Sequence, residues 1–112
     1  MEKLLENYIR FVEEEIDNDK KIEADAKIRD QFDEILDETD FILATIKFEM
    51  DVCLDIPRTE KNYDLTMREL VAKIDGLPRV KRSSIPAFMK KKKVEMDKIA
   101  REMAASLSKM FG

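Results

Sequence analysis

The chain has 112 residues, 41% charged and 44% hydrophobic, with net charge −4, two glycines, one cysteine and no histidine or tryptophan. That length fits one small domain, and the missing histidine excludes Ser-His and Cys-His dyads and every His-containing zinc site. A single cysteine excludes an internal disulfide framework, and two glycines are too few for a many-stranded sandwich or a dinucleotide-binding turn.

Near the start, Leu5, Ile9, Val12 and Ile16 recur at helical spacing, which predicts an upstream helix over about 2–17. Met1 is followed by acidic sequence, so no signal or transit peptide is expected, and a lone thiol suits a reducing compartment. Asn18-Asp19-Lys20-Lys21 then interrupts the seam without glycine or proline.

The main predicted helix runs over about 22–54. Ile28, Phe32, Ile35, Ile42, Ile46 and Cys53 fall on alternating steps of four and three, with Thr39 and Glu49 at the two polar positions of this heptad-like seam. From Phe41 to Leu54 the apolar residues, among them Ile42, Ile46, Phe48, Met50 and Cys53, surround the axis instead of marking one stripe. Such a segment must be covered on several sides, and one long helix with two shorter ones covers it from about two. Helices of other chains are therefore expected to complete the bundle, against the alternative of a self-contained three-helix bundle. Cys53 reads as a small buried hydrophobe before a reactive thiol.

Ile56-Pro57-Arg58-Thr59 ends that helix, because proline disfavours helix at the residue before it. A second helix is predicted over about 63–75, capped by Asn62 or Asp64, lined by Met67, Leu70, Val71 and Ile74, and stopped at Gly76-Leu77-Pro78. Ser83-Ser84-Ile85-Pro86 caps a third, over about 85–110, with the seam Phe88, Met96, Ile99, Met103, Leu107 and Met110. No strand is expected. The reading is an all-α chain, a single coiled-coil-like helical domain spanning 1–112, with a long helix followed by two shorter ones and completed by partner chains. The partner-helix interface is expected at Ile28, Phe32, Ile35, Phe41, Ile42, Ile46, Phe48, Met50, Cys53, Met96, Ile99 and Met103.

Charge is divided along the chain. Residues 1–60 carry 8 Lys+Arg against 19 Asp+Glu, net −11, and residues 61–112 carry 13 against 6, net +7. A basic patch of Arg79, Lys81, Arg82, Lys90, Lys91, Lys92 and Lys93 has no acidic residue among it. It can neutralise an acidic surface, address the nucleus, or pair with the acidic half of its own complex. No aromatic platform accompanies it, so sequence-specific nucleic-acid binding is not expected. Lys81-Arg82-Ser83-Ser84 reads as a basophilic kinase substrate with Ser84 as the phosphosite.

Catalytic chemistry is not expected. Asp33, Asp37 and Asp40, or Glu34 and Glu38, share helical spacing, but without histidine no Glu-x-x-His di-iron pair exists, and no calcium loop with its central glycine is present. Solvated carboxylates explain them. The longest uncharged stretch, Ser83 to Met89, is far short of the roughly 20 residues of a membrane helix, so neither cofactor, metal nor membrane is anticipated.

Lys27-Ile28, Phe32, Asp40-Phe41-Ile42, Ile46 and Phe48-Glu49-Met50 resemble the first long helix of the second-subunit family of the Ska (spindle and kinetochore-associated) complex. There the run reads Lys-Leu, Phe, Asp-Tyr-Ile, Leu and Tyr-Glu-Ile at the same spacing. Glu60-Lys61-Asn62 and Arg68-Glu69-Leu70 look similar too, so the resemblance covers roughly Ala26 to Leu77. Residues 1–25 extend further upstream than in that family. Ile85-Pro86-Ala87-Phe88-Met89-Lys90 is similar instead to the entry of the microtubule-binding domain of the first Ska subunit. The resemblance implies a structural subunit that winds with other Ska-type subunits into a dimerising helical bundle. It implies microtubule attachment through the assembled complex, at spindle and kinetochore in mitosis. A helical adaptor of vesicle tethering uses the same coiled-coil physics, and a small nucleic-acid-binding regulator would use residues 79–93 alone.

Overall fold

The computed structural model describes residues 1–16, 21–32 and 35–111, with side chains absent from the description at 35–37, 110 and 111. Among the described residues the fold is all-α. The helices are α1 (Glu2–Glu15), α2 (Ile35–Val52), α3 (Met67–Asp75) and α4 (Ile85–Phe111).

On α1 the apolar stripe that turns inward is Leu5, Tyr8 and Val12, with Ile16 just beyond its end. Tyr8, not the expected Ile9, is fully buried along with Val12. Its ring stacks on Phe48 at 4.3 Å between centroids and lies 6.1 Å from Phe41, so it packs against two residues one heptad apart on α2. α3 closes the core from the other side with Met67, Leu70, Val71 and Ile74, all buried.

The predicted helix over 22–54 is corrected at both ends. Residues 21–32 form a folded loop with one short 3-10 turn (Arg29–Gln31), and helix begins at Ile35. Three contacts hold that loop. The Ile28 N–H donates to the Leu65 carbonyl at 2.9 Å, the Arg68 N–H donates to the Ala24 carbonyl at 3.0 Å, and Lys27 bridges Thr66. Gln31 fastens it from within, donating from Nε2 to the Glu23 and Ala26 carbonyls while its Oε1 accepts from the Glu23 N–H. These side-chain bonds compete with helical ones for the same backbone groups. Ile28 is buried as the seam required, but from a loop, because apolar spacing marks which residues turn inward and does not settle the backbone that carries them.

At the other end α2 stops at Val52, before the proline. Cys53 takes a left-handed φ of 57°, and the Leu54 N–H donates back to the Glu49 carbonyl at 3.2 Å. This is a Schellman-type cap with cysteine where glycine is usual. Leu54 is then fully buried, and Ile56 after it.

The second helix starts later than expected: residues Glu60–Asp64 form a 3-10 turn, and neither Asn62 nor Asp64 caps α3. Thr66 does. Its Oγ1 accepts from the Glu69 N–H at 3.0 Å, and Glu69 Oε1 accepts from the Thr66 N–H at 2.9 Å, a reciprocal capping box. The third predicted helix agrees closely with α4. Its 27 residues make it about 40 Å long, and it follows a short turn at Arg82–Ser84. The Val80 N–H donates to the Cys53 carbonyl at 2.8 Å, and Lys92 of α4 reaches Glu49 and Asp55, so the first part of α4 lies against the end of α2.

Within the chain α2 packs against α1 and α4, and Ile42, Leu43, Met50 and Val52 on it, with Cys53 just beyond its end, stay partly covered.

Candidate partner interface and buried ion cluster

Among the described residues no α4 side chain belongs to the main apolar cluster, which α1, α2, α3 and the connecting loops build. Phe88 is buried beside α2, but the next inward position of α4 is a charge. Lys92 is 2% exposed, and its ammonium donates to Glu49 Oε2 at 2.8 Å and Asp55 Oδ1 at 2.9 Å. Glu49 is itself fully buried and also accepts from the Ile56 N–H at 2.7 Å and from Arg58 Nη2. Arg58 continues to Glu95 on α4 at 3.0 Å. Two cations and three carboxylates therefore join α2, the 53–59 segment and α4.

The electrostatics follow from that packing. Burial opposes the charge on Lys92, yet hydrogen bonds to Glu49 and Asp55 outweigh it and raise the ammonium above its ordinary value. Burial likewise opposes the charge on Arg58, and the hydrogen bonds and opposite charges of Glu49 and Glu95 together more than offset it. The Lys92 hydrogen bond holds the Asp55 carboxyl below the usual carboxylate range, against partial burial. All three groups are held in their charged forms.

The structure divides the residues expected at a partner-helix interface. Ile28, Phe41, Ile46 and Phe48 are buried within this chain's own fold. Phe32, Ile42, Met50 and Cys53 are partly covered, and the Ile35 side chain lies outside the described residues. Met96, Ile99 and Met103 are partly covered and lie four, seven and eleven positions after Lys92, on the helix face that Lys92 turns toward α2.

The basic patch is also divided. Lys92 is removed from it by burial, and Lys91 reaches Asp55 at 3.4 Å. Arg79, Lys81, Arg82, Lys90 and Lys93 are exposed and make no ion pair among the described residues. Helical periodicity extends their row along the outward side of α4 to Lys98 and Arg101, both exposed, which the sequence pattern alone did not single out. Ser84 is exposed in the turn that leads into α4. Sequence reasoning marked Glu49 only as a polar position of the seam and gave no sign that Arg58 would pair with it.

Asp33 and Glu34 lie outside the described residues, as does the Asp37 side chain. Among the described residues no group of three or more metal-ligating side chains converges, and no helix is long and apolar enough to cross a membrane. No protein-family model, curated protein or solved structure matches the chain.

Proposed function

We propose that the chain is a structural, non-catalytic subunit that joins a helical assembly through α4, in a kinetochore–microtubule attachment complex of Ska type. The observation that carries this reading is the seam of α4. Phe88 and Lys92 are buried at one end, while Met96, Ile99, Met103 and Leu107 continue the same face only partly covered and outside the main core. A surface helix whose apolar stripe outruns its cover is suited to receive a partner helix. Of the residues in the resemblance, those from Asp40 to Met50 share one helix, α2, which supports the reading over that stretch. The outward cations Arg82, Lys90, Lys93, Lys98 and Arg101 supply salt-sensitive attraction to an acidic filament once the complex is assembled. A phosphate on Ser84 would add about −1.5 to −2 charges beside that row and weaken it.

The test is co-purification of the tagged chain from mitotic cells, with and without Ile99→Asp and Met103→Asp. The unaltered chain is expected to bring down kinetochore subunits, and the double variant to lose them while keeping its helicity. Lys90→Glu with Lys93→Glu should lower microtubule pelleting of the complex and leave its assembly intact. Full-yield recovery of partners by the double variant would overturn the assignment of the seam. Recovery of vesicle-tethering subunits would overturn the kinetochore assignment.

A further inference from the structure

A cavity of about 210 Å³ lies where α1, α2, α3 and the 56–63 segment meet. Its apolar wall is Tyr8, Phe41, Ile42, Ile56, Tyr63 and Leu70. Phe41 and Tyr63 stand 5.9 Å apart between centroids and tilted by 56°, so two ring systems meet at an angle in that wall.

The polar part of the wall determines what an occupant must carry. Thr45 has one hydroxyl proton, and it goes to the Phe41 carbonyl at 2.8 Å. The Tyr8 hydroxyl, 2.7 Å from Thr45 Oγ1, is therefore the donor of that pair, and its oxygen is left with acceptor capacity alone. Asn62 donates from Nδ2 to the Pro57 carbonyl at 2.8 Å, while its buried Oδ1 has no donor among the described residues. Arg58 spends Nη1 on the Ile56 carbonyl and Nη2 on Glu49 and Glu95. The wall thus presents acceptors at Tyr8 and Asn62, while the donors of Tyr8, Thr45 and Asn62 Nδ2 are committed within the chain.

Size and charge narrow the class further. A cavity of about 150 Å³ admits benzene, so this one holds a ring with a few atoms more. An anion would meet Glu60 at the rim and an Arg58 already paired with two carboxylates, and a cation would meet Arg58 itself.

We infer that this cavity is a binding site for a small neutral aromatic ring, of phenol to indole size, that carries one N–H or O–H donor. No α4 side chain lines the site, although Arg58 of its wall also pairs with Glu95 of α4.

Phenol and indole, with benzene and benzoate as comparisons, test it on the whole chain by thermal melting and ligand-observed NMR. Phenol is expected to bind more tightly than benzene by about fivefold, the ratio that one net hydrogen bond is worth. Indole should follow phenol, and benzoate should not bind. Asn62→Leu removes the unpaired acceptor and should bring phenol and benzene to similar affinity. Ile42→Trp fills the space and should abolish binding of every probe. Equal affinity of phenol and benzene for the unaltered chain overturns the inference, as does the absence of binding at millimolar probe. Both of those outcomes are read on the unaltered chain, so they stand even where a variant fails to fold.

Discussion

Replacing Lys92 with alanine probes what holds α4 to the rest of the molecule. The ammonium is 2% exposed and sits 2.8 Å from a Glu49 carboxylate that is itself fully buried. Its removal leaves Glu49 in a water-excluded site with Arg58 and the Ile56 N–H as remaining partners. Breaking a buried pair from one side costs about 3–5 kcal/mol, because the surviving charge keeps its desolvation penalty. Arg58 retains part of the compensation, so the expected loss is at the lower end, about 3 kcal/mol. Against a total stability of about 5–15 kcal/mol for a domain of this kind, that is a large share. Urea unfolding followed by circular dichroism measures it. Hydrogen exchange locates it: amides of α4 should lose protection well before those of α1 and α3, because α4 adds no side chain to the main cluster. The pair Glu49→Gln with Lys92→Met removes both charges together and should recover most of the loss, since neither member is then left as an uncompensated buried charge. A loss under about 1 kcal/mol for Lys92→Ala, the size of an exposed ion pair, would refute the reasoning. So would equal deprotection of all four helices.

Other perturbations follow from single contacts. Cys53→Gly relieves the left-handed φ of 57° and should stabilise the chain or leave it unchanged, whereas Cys53→Val should cost about 1–2 kcal/mol by urea unfolding. Thr66→Ala breaks the capping box of α3 and should cost about 1 kcal/mol, read as a lower thermal midpoint. Tyr8→Phe leaves Thr45 bonded to the Phe41 carbonyl and removes one buried donor, so its urea midpoint should reflect a loss of about 1 kcal/mol. Asp55 has a depressed folded pKa, so its contribution is present above about pH 4 and lost as pH falls through the folded value. Tyr8 is raised by burial, and Lys92 by its carboxylate partners against burial, so both contributions are full below about pH 10 and lost above it. With no histidine in the chain, urea midpoints should be level from about pH 6 to about pH 7, and a slope there would contradict this account.

What the sequence determined by itself was set by local physics. Helical periodicity marked α1, α3 and α4, the serine and proline before Phe88 marked where α4 begins, and the shortage of glycine and of alternation excluded sheets. The need to cover Phe41 to Leu54 on several sides was also legible, since it depends only on how many apolar residues share the axis. Tertiary structure decided the rest. Ile28 and Phe32 keep heptad spacing yet sit in a loop, because bonds to Leu65 and Ala24 and from Gln31 replaced the helical ones, and the residues that make those bonds lie up to 44 positions apart. Of the four lysines from 90 to 93, spacing places only Lys92 on the seam, four after Phe88 and four before Met96, but does not name its partner. Only the packing of α4 against the end of α2 brings Lys92 onto Glu49 and leaves Lys90 and Lys93 in solvent. A charge's partner is chosen by the fold, from residues far away in the chain, and local spacing carries no record of it.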